Sequence, residues 1–141
     1  MILLDTNVIS EPLKLTGDRG VLNWIDAQII ETLYLSTISL AELRFGIAAL
    51  PAGKRRDTLH TSLEQRILPL FLGRILSFDT AASEAYAALR TRARAQGKAI
   101  APADGYIAAT AATHGLIVAT RDIGPFEAAG LTVINPWNAQ H

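Results

Sequence analysis

A chain of 141 residues without a single cysteine excludes disulfides, thiolate metal ligands and a cysteine nucleophile, and its length suits one domain spanning 1–141 around a single core. Thirteen lysines and arginines balance thirteen aspartates and glutamates, so no overall basic excess marks a nucleic-acid binder and any such surface has to be a local patch. Half of the residues are hydrophobic and no repetitive or low-complexity tract breaks them up, which excludes a disordered chain or a repeat array.

The opening "MILL" has no basic leader and is cut short by Asp5, so it reads as a strand rather than a signal peptide. No uncharged stretch approaches the roughly 20 apolar residues of a membrane span, and a cytoplasmic protein is expected. Short apolar runs then alternate with segments of helical period, the pattern of βα units around a parallel sheet. Strands are predicted at 2–4, 33–36, 74–78, 116–119 and 131–134, and helices at 7–13, 20–30, 40–50, 54–70, 81–96 and 102–114, with a short one after Asp122. Trp24, Ile25 and Ile29 recur at helical spacing and are assigned to packing. Ser39 and Glu42 have the spacing of a capping box, Pro102 suits a first helical turn, and Gly97 and Gly115 stand where helices end.

Four acidic residues fall at informative places. Asp5 closes the first strand, Glu42 opens the helix after the second, Asp104 sits in the first turn of the helix before the fourth, and Asp122 follows "LIVATR" just past the fourth. Each alone has an ordinary use as a helix cap or first-turn acid, and Asp79, after "RILSF", reads equally well that way. In a parallel α/β sheet, however, the carboxyl ends of the strands form the ligand crevice. Two like charges roughly 5 Å apart repel by about 3 kcal/mol at an effective dielectric near 20, so folding does not gather such a cluster for stability. A divalent cation offsets the repulsion, and an all-oxygen set selects Mg²⁺ or Mn²⁺ over zinc. The histidines, His60, His114 and His141, are scattered.

A hard cation that keeps part of its water shell points to phosphate chemistry and, by acidifying a bound water, to phosphodiester hydrolysis. There is no GxxxxGK[ST] loop, GxGxxG turn or GxSxG elbow. Two other uses of the same acids stay open: a metal-dependent phosphatase with Asp5 as nucleophile, and a module that binds RNA or a partner without cutting.

The stretches "MILLDTNVIS", "SLAELRFG", "ADGYIAATA" and "VATRD", with the ending "VINPW", occur in that order across almost the whole chain. Together they resemble the PIN-domain ribonucleases of type II toxin–antitoxin systems, the VapC-like and FitB-like toxins. The resemblance implies a three-layer α/β/α fold with a five-stranded parallel sheet ordered 3-2-1-4-5, which separates Asp79 on an edge strand from the other acids. It implies Asp5, Glu42 and Asp104 as the acidic triad and Asp122 as a fourth member. Asp5, Asp104 and Asp122 would then face the metal, with Thr6 and Thr120 as supporting hydroxyls. It further implies an RNA substrate, a homodimer, and a cognate antitoxin with a DNA-binding domain and a tail that covers the site. Local basic groups for RNA occur in "GKRRD" (Lys54, Arg55, Arg56) and in "LRTRARAQGK" (Arg90, Arg92, Arg94, Lys98); the second precedes Asp104 and is the better candidate.

Overall fold

The computed structural model of the chain describes residues 1–138. Its five strands are β1 (Ile2–Leu4), β2 (Leu33–Ser36), β3 (Ile75–Leu76), β4 (Ile117–Ala119) and β5 (Val133–Ile134), all parallel, in the order β3-β2-β1-β4-β5. The helices are α1 (Thr6–Ile9), α2 (Arg19–Asp26), α3 (Thr37–Ala48), α4 (Lys54–Thr61), α5 (Thr80–Ala95), α6 (Pro102–Thr113) and α7 (Ile123–Ala128). The expected three-layer α/β/α architecture and strand order are both present.

The three residues of β1 are buried throughout, as a central strand with helices on both faces requires. Alternation along the strand divides the core in two. Ile2 and Leu4 join Val8, Trp24, Leu33, Leu35, Leu43 and Phe71 on one face. Leu3 turns to the other, among Leu89, Ile107, Val118 and Phe126. Trp24 is buried and Ile25 packs against the same cluster, as their spacing predicts, whereas Ile29 stands outside it at 69% exposure.

Local chemistry shifts several boundaries. The helix expected over 7–13 is split into α1 and a 3-10 turn, Glu11–Leu13, because Pro12 has no N–H to continue the ladder. The expected helix over 20–30 starts at Arg19 on an Asp18 cap (Val21 N to Asp18 Oδ1, 3.0 Å) and ends at Asp26. The segment expected as one helix over 54–70 passes from α4 into a π-helical stretch, Ser62–Ile67, then a 3-10 turn, Leu68–Phe71, that contains Pro69. Asp79 caps α5 through Ala82 N at 2.9 Å, so its cap reading holds. Gly97 and Gly115 have φ of +74° and +64°, the left-handed conformation that ends α5 and α6.

The capping box expected of Ser39 and Glu42 does not form. β2 runs into α3 without a linker, so the cap is Ser36, whose Oγ accepts from Ser39 N at 3.0 Å. Glu42 is thereby released from capping. Among the described residues no helix is long and apolar enough to cross a membrane.

Leu3→Ala removes a fully buried side chain from the face shared with α5 and α6. It is expected to cost about 2–5 kcal/mol of stability, read as a lower urea midpoint with an unchanged m-value.

Candidate active site

The sheet order places the ends of β2, β1 and β4 side by side, and the site is built there. Asp5 continues β1 by one residue, its N–H donating to Ala119 O at 2.9 Å. Its side chain, only 5% exposed, accepts on one oxygen from Thr6 N (2.8 Å) and on the other from Thr120 Oγ1 (2.8 Å). Thr120, fully buried just past β4, accepts in turn from Asp122 N at 3.0 Å. Asn7 joins the same two loops, with its Oδ1 accepting from Arg121 N (3.2 Å) and its Nδ2 at 3.5 Å from Thr120 Oγ1.

Glu42 is held from the other side. Thr6 Oγ1 lies 2.6 Å from Glu42 Oε1 and 3.0 Å from Ser39 Oγ, which lies 3.3 Å from Ser36 Oγ. A carboxylate only accepts and Thr6 has one hydroxyl proton. Thr6 therefore donates to Glu42, Ser39 to Thr6, and Ser36 to Ser39, a one-way chain of hydroxyls ending on the acid.

Burial pushes the Asp5 carboxyl up from 3.8 to about 6; the hydrogen bonds from Thr120 and Thr6 oppose that rise, and the charges of Asp104 and Glu42 add to it. Asp104 is also raised, first by burial and then by Asp122 and Glu42. The four acids singled out from the sequence thus share one electrostatic neighbourhood. Among the described residues no group of three or more acidic or histidine side chains is gathered tightly enough to hold an ion as it stands. The donor chemistry nonetheless fits a hard divalent cation: carboxylate oxygens with hydroxyls behind them, two of the carboxyls, Asp5 and Asp104, kept reluctant to ionise. Of the histidines, His60 lies on α4 and His114 at the end of α6, while His141 lies outside the described residues.

The basic candidates separate. Arg92 donates to Ala129 O at 2.9 Å, tying α5 to the end of α7. Arg90 bonds Tyr86 Oη at 2.7 Å. Arg94 and Lys98 line a cleft with it. Lys54, Arg55 and Arg56 open α4, where Arg56 lines a different cavity with His60 and Glu64. Asn7 and Ser36 had no role in the sequence expectations, and Ser39 only that of a helix cap. The visible trace was the spacing of Ser36, Ser39 and Glu42, three residues apart along one helix edge.

Residues 2–131 match the PIN domain family model. The chain is 64% identical over 137 residues to the VapC ribonuclease Y4jK of Sinorhizobium fredii, covering 97% of this chain and 98% of that one. It is 57% identical over 138 residues to Toxin FitB of Neisseria gonorrhoeae, covering 98% and 99%. The solved structure of FitAB bound to an IR36 DNA fragment superposes with a TM-score of 0.96 at 55% identity, over 100% of this chain and 99% of the matched one.

Because the folded state binds the Asp5 proton more tightly than the unfolded chain, Asp5 favours folding below pH about 4 and loses that contribution as pH rises through about 6. The full swing is on the order of 3 kcal/mol. Metal-free Asp5→Asn is therefore expected to melt higher than the wild type at neutral pH, with the gap closing on acidification. A gap that widens toward low pH would contradict the assigned cause.

Proposed function

The chain belongs to the PIN domain family, and from that premise we propose that it is a metal-dependent ribonuclease, the toxin of a type II toxin–antitoxin pair. One observation carries the reading: a buried aspartate at the end of the central strand is surrounded by Glu42 and Asp104 and fixed on both oxygens by Thr6 and Thr120, an arrangement that costs stability unless a cation shares it. The similarity to a VapC ribonuclease and to Toxin FitB supports it.

In this reading Asp5, Asp104 and Asp122 hold Mg²⁺ or Mn²⁺. Such an ion, when bound, offsets charge on the phosphoryl oxygens and acidifies a water for attack on the RNA phosphodiester. Glu42, its Oε1 fixed by the Thr6 hydroxyl, would present its other oxygen for proton transfer. Thr120 fixes Asp5 and the backbone ahead of Asp122 together, so one hydroxyl sets the spacing of two acids. Asp5 as an attacking nucleophile, the phosphatase alternative, is disfavoured because it is almost buried with both oxygens engaged.

The proposed partners are a second copy of the chain and an antitoxin with a DNA-binding domain, acting in the cytoplasm. A complex of a close relative on DNA supports the second partner. An arginine from the antitoxin's tail would satisfy the acids directly.

Purified protein incubated with cellular RNA is expected to cut it with Mg²⁺ or Mn²⁺ and to stop when the metal is chelated. Asp104→Asn abolishes both cleavage and growth arrest in cells expressing the toxin alone. Thr120→Val, which unlocks Asp5 without removing an acid, lowers cleavage about 10- to 100-fold. RNA binding with no cleavage under any divalent ion would favour the non-cutting module instead.

A further inference from the structure

The C-terminal half of α5 and the segment leading into α6 enclose a cleft of about 440 Å³ lined by Tyr86, Arg90, Arg94, Lys98 and Ile100. No carboxylate lines it. Among the described residues the ion pairs are Lys14 with Glu11 and Arg44 with Glu64, so none reaches these three cations, and the side chains of Arg94 and Lys98 make no hydrogen bond. Three like charges converging on one concavity repel each other. Arg90 and Arg94 stand one turn apart on the same face of α5, and Lys98 follows the turn at Gly97.

Arg90 is preset. Its guanidinium bonds Tyr86 Oη at 2.7 Å and lies 5.5 Å from the centre of that ring, which leaves most of its donors free. Tyr86 in turn stacks on Tyr106, with ring centres 4.8 Å apart. It also lies so close to Gly105 that a Cβ there would come within 2.8 Å of the ring. Gly105 directly follows Asp104 in α6, so the Tyr86 and Arg90 wall of the cleft packs against the helix one residue from an acid of the site. The missing side chain at 105 is what lets the aromatic anchor of Arg90 press against that turn.

We propose that this cleft binds the phosphate backbone of single-stranded RNA next to the bond cut at the acidic site, with Arg90, Arg94 and Lys98 as the phosphate ligands. The inference rests on the ribonuclease reading for its ligand. The volume is of the size that holds a small ligand, with room for a nucleotide's sugar and phosphate. Arginine's planar fork suits phosphate oxygens, and Lys98 supplies a mobile point charge.

The test is binding of a short 5′-fluorescein single-stranded RNA to the full chain in chelator, followed by anisotropy over a salt series. Arg94→Gln with Lys98→Gln is expected to weaken binding and to flatten the slope of log affinity against log salt by about 1.4, at about 0.7 for each phosphate that is no longer neutralised. Tyr86→Phe, which releases Arg90, weakens binding less. Unchanged affinity and slope in the double variant would overturn the proposal. So would an equal loss in the charge-matched pair Lys54→Gln with Arg55→Gln, or tighter binding of double-stranded DNA that the same substitutions abolish. If the double variant loses RNA binding while the wild type cuts no RNA with any divalent ion, the cleft stands and the ribonuclease reading falls.

Discussion

The buried charge of Asp5 is the constraint around which the rest of the site is arranged. It sits where the central strand leaves the core, at 5% exposure, with Leu4 fully buried immediately before it. Two hydrogen bonds lower the cost of ionising it, and burial with two neighbouring acids raises that cost further. The net effect is a carboxyl that ionises near pH 6. Such a group is half-ready for a cation: free of its proton at neutral pH, yet under an electrostatic penalty that a positive ligand relieves.

Much of this was legible in the residues, for a definable reason. The "ILL" of β1 and the acids at strand ends are set by periodicity and topology, both of which a sequence carries directly. The strand order decides which acids meet. It brings Asp5 between the ends of β2 and β4 and leaves Asp79, on the edge strand β3, to cap α5. From one chain that order comes only with the family resemblance, because no local pattern distinguishes Asp79 from Asp122.

Other features depend on geometry that residue order does not carry. Arg92 looks like its neighbours Arg90 and Arg94, but a rotation of 100° per residue sends it to a carbonyl on the far side of the helix. Gly130 leaves the space there, for a Cβ would run into the Arg92 guanidinium. The capping box at Ser39 failed because caps depend on where the preceding strand stops, and strand ends are set by pairing with neighbours distant in sequence. Leu35 and Ser36 pair with Ile75 and Leu76.

That same junction explains why small hydroxyl residues crowd the start of α3. Ser36 is the last residue of β2 and the cap of α3, and it is also the first donor in the chain through Ser39 and Thr6 to Glu42. A larger residue would force the helix off the strand, and an apolar one of equal size would leave Ser39 N unsatisfied in a position with no access to water. Local folding and the placing of the acid therefore use the same two hydroxyls. Because Ser36 and Ser39 are fully buried, the geometry of Glu42 is set by the rigid meeting of strand and helix rather than by a surface loop.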